Sequence, residues 1–254
     1  EQHALALGAG LAAGGMRPFV AVYSTFLQRG LDQLFHDICL QNLPVIILED
    51  RSGLTGEDGE AHQGIYDLGF LRSIPSLTIM APRDIPTLKY MMELALKSSA
   101  PCVIRYPKGC SLKIASGQPL MPYKWQTVRK SGGRIILLAF GAMLNQALKA
   151  SELLEAQGIE ADVADACFIK PIDTQFLAEC QAHSLLFIIE DNVCPGGLFE
   201  GVSGYMESEK KDVRVIGMNL SDAIVPHASI NQQREMFCLT AEDIAARVIS
   251  ELKD

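Results

Sequence analysis

The run Pro44-Val45-Ile46-Ile47-Leu48-Glu49-Asp50-Arg51-Ser52-Gly53-Leu54-Thr55-Gly56-Glu57-Asp58-Gly59-Glu60-Ala61-His62-Gln63 decides the fold. Pro44 to Leu48 is a short apolar run rich in branched side chains, which reads as a buried strand. It passes into Asp50 and Arg51, then into a glycine-punctuated loop holding carboxylates and a histidine. Open α/β sheets place their active sites at the carboxyl ends of strands, so this junction marks a candidate site. His62 is the side chain there best suited to moving a proton near neutral pH.

Outward from that junction the pattern repeats. Pro18 to Tyr23, Leu77 to Ala81 and Cys102 to Tyr106 are further short apolar runs. Between them, Leu27, Leu31, Leu34, Phe35 and Ile38 recur at helical spacing, as do Leu88, Met91, Met92, Leu94 and Ala95. Ser24 or Thr25 can cap the first of these helices, and Gln28, three residues after Thr25, completes a capping box. Alternating strands and helices imply right-handed crossovers and a mostly parallel sheet. Residues 111–133 lose this periodicity and are expected to be a linker. A second block comes next, with strands at Arg134 to Phe140, Glu160 to Ala164, Leu185 to Glu190 and Val213 to Met218. Its helices are expected at Leu144 to Gln157, closed by Gly158, and at Ala241 to Leu252, with Thr240 as N-cap. The expected architecture is α/β, in two consecutive domains (1–110 and 134–254) whose mostly parallel sheets are flanked by helices.

Composition narrows the function classes. With 254 residues, 48% of them hydrophobic and 20% charged, the chain has ordinary globular make-up. A net charge of -8 argues against nucleic acid as a partner, so an anionic substrate would need local basic groups. No apolar run is long enough to span a bilayer. The seven cysteines are scattered, without Cys-x-x-Cys pairs or zinc spacing, which fits a reduced, cytoplasmic protein.

Four motifs in register carry a resemblance. They are Glu1-Gln2-His3-Ala4, Tyr23-Ser24-Thr25-Phe26-Leu27-Gln28-Arg29, Gly56-Glu57-Asp58-Gly59 with His62-Gln63, and Arg105-Tyr106-Pro107-Lys108-Gly109. Together they resemble the transketolase group of thiamine diphosphate enzymes, and within it the 1-deoxy-D-xylulose-5-phosphate synthase family. The resemblance implies a transketolase-like pyrimidine-binding domain, incomplete at its N-terminus, followed by a transketolase C-terminal domain. It implies a transferase that condenses pyruvate with glyceraldehyde 3-phosphate with loss of CO₂, feeding isoprenoid and thiamine synthesis. The cofactors are then thiamine diphosphate and Mg²⁺, and the assembly a homodimer. No Gly-Asp-Gly of the kind that holds diphosphate and Mg²⁺ in this group occurs here, so the chain is expected to be a fragment, or a subunit that needs a separate diphosphate-binding chain.

The same resemblance assigns roles. Glu1 is the carboxyl that bonds the aminopyrimidine ring, which needs it protonated. Phe26 stacks on that ring and Tyr23 lines the pocket beside it. Arg29 lines the pocket or supports it. Asp58 orients the aldehyde acceptor and His62 transfers protons, while His3 lies near the cofactor; His36, by its place on a helix, is expected to be structural. Arg51 and Arg105 each follow a strand, so each can point into the same cleft, and guanidinium forks suit phosphate; the resemblance implies that both hold the acceptor phosphate. No protein metal ligand is expected. Ala61 and Glu60 depart from the family loop, which commonly has Thr and Pro there. Alternatives are transketolase, a 2-oxo acid dehydrogenase β-type subunit, or a two-domain scaffold without chemistry. In the second block Glu190-Asp191-Asn192, Pro195-Gly196-Gly197 and Pro226-His227 resemble the C-terminal domain and point to no catalysis.

Overall fold

The computed structural model describes residues 1–109, 114, 119–180 and 183–253. The opening run forms β2 (Ile46–Asp50), preceded by α1 (Gln2–Ala13) and β1 (Phe19–Tyr23). Beyond the 53–64 loop come α3 (Asp67–Leu71), β3 (Thr78–Met80), α4 (Ile85–Lys97) and β4 (Cys102–Tyr106). β1, β2, β4 and β3 pair in parallel in that order. Val20, Ile46, Ile47, Ile79, Val103 and Ile104 of these strands are buried, as an enclosed parallel sheet requires.

The helix expected over 27–38 is a helical path of mixed pitch. It begins as α2 (Ser24–Leu27), tightens over Gln28–Gly30 and widens into π-turns over Gln33–Cys39. Neither Ser24 nor Thr25 supplies the expected cap: Tyr23 occupies the N-cap position and no side chain bonds the first turn. Two other caps obey their sequence chemistry. Asp84 accepts from Thr87 N at 2.9 Å to start α4, and Thr240 with Asp243 forms a capping box at α9 (Ala241–Glu251).

The second sheet is built from β6 (Ile135–Ala139), β7 (Ala161–Asp165), β9 (Leu185–Val193) and β10 (Arg214–Leu220), all parallel, in the order β10, β9, β6, β7. α5 (Met143–Glu155) and α7 (Leu198–Ser208) pack on these strands, α9 packs on α5, and α8 (Ile230–Met236) lies against the Gly56–Asp58 turn of the first half. Gly158, at φ +75, succeeds α5 as expected.

The stretch read as linker is not uniform. Most of its first part lies outside the described residues. Its second part contains β5 (Gln126–Arg129), an edge strand antiparallel to β7. The halves are also stitched together. After β7 the chain crosses back, and β8 (Phe168–Lys170) pairs antiparallel with β3, becoming the fifth strand of the first sheet. One apolar core runs through both halves, joining Ile79, Val103 and Ile104 to Leu138, Phe140 and Ile188. The short α6 (Thr174–Glu179) comes after this crossing, capped by Asp173.

Buried thiols behave as small hydrophobes: burial pushes Cys39, Cys102 and Cys180 up to about 12. No helix among the described residues is long and apolar enough to cross a membrane.

Candidate active site

The carboxyl ends of β1, β2 and β4 lie side by side: Tyr23 is the register partner of Asp50, and Asp50 of Tyr106. The segments leaving these three strands therefore converge. After β1 the chain turns directly into α2, so Phe26 comes back over Tyr23. The two rings stack with centroids 5.3 Å apart and planes 7° from parallel. The His62 ring meets Phe26 edge-on at 5.5 Å, and the Arg29 guanidinium lies 5.5 Å from the same Phe26 ring. Phe26 is only half-buried, so this stack offers an aromatic surface to the cleft.

After β2, Arg51 adopts φ +59 and turns its side chain back across Tyr23. Its guanidinium carbon sits 4.1 Å from the Tyr23 centroid. Arg51 also donates to Asp50 at 2.5 Å and to Asp58 at 3.2 Å. Asp58 arrives on a 3₁₀ turn, Gly56–Asp58, and a second such turn, Glu60–His62, delivers His62. The Gln63 amide braces both: its Oε1 accepts from Thr55 N at 2.9 Å and its Nε2 donates to Gly59 O at 3.0 Å. Thr55 Oγ1 donates to His62 O at 3.0 Å. His62 Nδ1 lies 3.1 Å from Asp58 O, and since a carbonyl only accepts, that nitrogen carries the hydrogen. Nε2 is then the nitrogen available for proton exchange in the neutral ring.

After β4, Lys108 Nζ donates to the other Asp58 oxygen at 2.5 Å. Asp58 thus bridges Lys108 and Arg51. The Lys108 ammonium, with Arg51 behind it, holds the Asp58 carboxyl below the usual range. Two cations, Arg51 and Lys108, are matched here by two carboxylates, Asp50 and Asp58, so the cluster is close to charge balance.

Six of the proposed residues (Tyr23, Phe26, Arg29, Arg51, Asp58 and His62) come together in this way. Glu1 lies at the N-cap of α1 with its side chain exposed, and its carbonyl packs near Gly30, beside Arg29. His3 is exposed on the first turn of α1, and His36 bonds Asp32 on the surface at 2.8 Å.

Arg105 is the correction. It lies inside β4, not after it, and alternation turns it to the face opposite Ile104 and Tyr106. It is 4% exposed and donates to Asp67 at 2.7 and 3.1 Å and to Asn192 of β9 at 2.7 Å. Arg105 therefore ties the two halves together beneath the site. The cation that the same motif brings to the cleft is Lys108, three residues on. The sequence signal existed, in the lysine just past Pro107 beyond the strand end.

Two other carboxyls flank that junction. Glu49, the register partner of Arg105, is fully buried; desolvation pushes its carboxyl well up, Asp67 adds to this and Arg105 opposes it. Glu190 is pushed to about 7 by burial, against the pull of the backbone N–H groups of Leu198 and Phe199 at the start of α7.

Comparison with known proteins accords with this geometry. Residues 1–111 match the transketolase pyrimidine-binding domain, and residues 123–244 match the transketolase C-terminal domain. The chain is 41% identical over 250 residues to 1-deoxy-D-xylulose-5-phosphate synthase of Carboxydothermus hydrogenoformans, covering 96% of this chain and 40% of that protein. It is 39% identical over 251 residues to the synthase of Clostridium tetani, covering 98% and 40%. The chain thus spans about 40% of the length of the curated relatives it matches. Among solved structures, a protein described as a split-gene transketolase, inactive β4 tetramer, superposes with TM-score 0.91 at 27% identity, covering 100% of this chain and 82% of that one. Transketolase of Campylobacter jejuni superposes at 0.77 and 16% identity, covering 97% and 38%, a likeness of fold alone. The chain belongs to the transketolase family: it carries that family's pyrimidine-binding and C-terminal domains in order, and 1-deoxy-D-xylulose-5-phosphate synthases are among its relatives.

Proposed function

We propose that this chain supplies the pyrimidine-binding and C-terminal portion of a 1-deoxy-D-xylulose-5-phosphate synthase. Such an enzyme condenses pyruvate with glyceraldehyde 3-phosphate and releases CO₂. The observation that carries the reading is the cleft cluster, in which an aromatic stack stands beside Arg51, Lys108, Asp58 and His62 at the ends of three parallel strands.

The residues present fit thiamine diphosphate at its pyrimidine end. The Tyr23–Phe26 stack offers a flat π surface, with Glu1 at the N-cap and His3 on the first turn of the neighbouring α1. Phe26 would hold the ring and Glu1 would bond its nitrogen. The chemistry supplied by the cofactor when bound is that of an electron sink for decarboxylation and two-carbon transfer. Arg51 and Lys108 bind the acceptor phosphate, displacing the carboxylate that now joins them. Asp58, so released, orients the aldehyde, and His62 Nε2 exchanges the proton at its oxygen. Arg29 supports the Phe26 ring. The diphosphate and Mg²⁺ are held by a portion of the enzyme outside these 254 residues.

A homodimer is the assembly we infer, supported by the exposed Leu7 on an α1 whose residues from Ala4 to Ala13 are all apolar or glycine. A cytoplasmic location accords with the buried free cysteines.

The test is to supply this chain with the diphosphate-binding portion, thiamine diphosphate, Mg²⁺ and both substrates. CO₂ release coupled to 1-deoxyxylulose 5-phosphate formation is expected. Ketol transfer from a ketose phosphate without CO₂ would make it a transketolase.

A further inference from the structure

The cleft cluster of Tyr23, Phe26, Arg51, Asp58, His62 and Lys108 is drawn from the first domain, and the second domain grips the loop that carries Asp58 and His62. Gln233 of α8 is fully buried. Its Oε1 accepts from Gly56 N at 3.0 Å, and its Nε2 donates to Gly56 O at 3.3 Å and to Pro226 O at 2.9 Å. One primary amide therefore engages both backbone groups of one residue. Two contacts on one residue's backbone fix its orientation as well as its position.

Gly56 is where such a grip acts on the site. It opens the 3₁₀ turn that ends at Asp58 and has φ +67, which a side chain rarely adopts. A Cβ there would lie 2.9 Å from Ile230 Cγ1 and 3.1 Å from Ile230 N, so α8 rests directly on the turn. The Gly56 carbonyl also accepts from Gln63 Nε2 at 3.3 Å. The turn is thus braced from inside its own loop by Gln63 and from the other domain by Gln233. α8 is itself anchored by the Ser229–Gln232 capping box at its start.

We propose that Gln233 is a positioning residue for acceptor binding: it acts through Gly56 to hold Asp58 and His62 where a phosphorylated aldehyde meets them. The proposal rests on the acceptor role given to that loop above. It assigns the C-terminal domain a part in selecting the second substrate, exerted through one amide. Binding of the 2-oxo acid depends on the aromatic stack and is left alone.

Two measurements on Gln233→Met and Gln233→Asn separate the clamp from the function reading. Met keeps the length without hydrogen bonds, and Asn keeps the amide one methylene short. In hydrogen exchange of the intact chain, amides of residues 55–63 should exchange about tenfold faster in both variants, with β6 unchanged. Unchanged loop exchange in a folded variant overturns the clamp. In the active enzyme the KM for glyceraldehyde 3-phosphate should rise about tenfold while acceptor-independent decarboxylation of pyruvate holds. Equal losses in both overturn the acceptor-specific role. Faster loop exchange in a protein that uses no phosphorylated aldehyde, wild type included, leaves the clamp standing and overturns the function reading and the acceptor role with it. If Gln233→Met does not fold, Gln233→Asn carries both measurements.

Discussion

The guanidinium of Arg51 lies over the ring of Tyr23, 4.1 Å from its centroid, while its Nε donates to Asp58. This couples the aromatic floor of the cleft to its charged wall. The Arg51 side chain is 27% exposed and cannot be replaced by a point charge without losing the stack. In the active enzyme, Arg51→Ala is expected to raise the KM for the phosphorylated acceptor on the order of 10- to 100-fold, consistent with loss of a charge-assisted contact. Steady-state kinetics with the acceptor varied will check this; an unchanged acceptor KM would remove Arg51 from phosphate binding.

Lys108 and Arg105 should behave oppositely. Arg105→Ala leaves Asp67 buried and unpaired, a loss of about 3–5 kcal/mol by denaturant unfolding. Lys108→Ala removes a partly exposed pair and should cost under about 1 kcal/mol. Its effect belongs instead in the acceptor KM, and the Asp58 carboxyl should titrate higher once its Lys108 partner is gone. A mild Arg105→Ala, or a Lys108→Ala that unfolds the chain, would reverse the assignment.

Glu190 makes stability depend on pH. Its folded value, about 7, stands above the ordinary 4.5, because burial disfavours the charged form. The stability it contributes is complete below about 4.5 and is lost as pH rises through about 7. Wild type should therefore lose on the order of 3 kcal/mol between those limits relative to Glu190→Gln. Asp165, also raised to about 7 by burial, tilts both proteins the same way and cancels in the comparison. Unfolding at stepped pH measures the difference; parallel curves would count against a titrating Glu190.

Two loop glycines give a sterically matched pair. Gly53 has φ +81, and a Cβ there would lie 2.2 Å from Asp191 Oδ2. Gly59 has φ +87 with nothing within 4 Å. Gly59 combines that φ with ψ 177, a region almost confined to glycine, so Gly59→Ala should cost backbone strain alone, about 1–3 kcal/mol. Gly53→Ala should cost clearly more, because Asp191 must also release Leu54 N. Equal melting temperatures would deny the close approach.

Much of the fold was readable because buried parallel strands are short apolar runs, as in Ile46 to Leu48 and Val103 to Ile104. Thr240 was readable because a cap is local chemistry. The strands that escaped, Gln126–Arg129 and Phe168–Lys170, are edge strands of three or four residues whose identity depends on distant partners. Tyr23, Phe26 and Asp58 of the cluster stand in motifs whose order is visible in the sequence, whereas Asp50 joins it only through Arg51. Arg105 could not be placed in that way, because a one-residue difference in a strand reverses its face, and only the pairing with Glu49 and Asp67 reveals which face looks toward the second domain.

The crossing of Phe168–Lys170 onto Thr78–Met80 makes the two domains accomplices in folding. A polypeptide ending in the region between them would present Ile79 and Met80 along an unpaired edge, an invitation to strand addition by its neighbours. A gene that divided this protein between its two family domains would thus encode a sticky half. Heredity can rearrange such a protein only at joints its hydrogen bonds leave open.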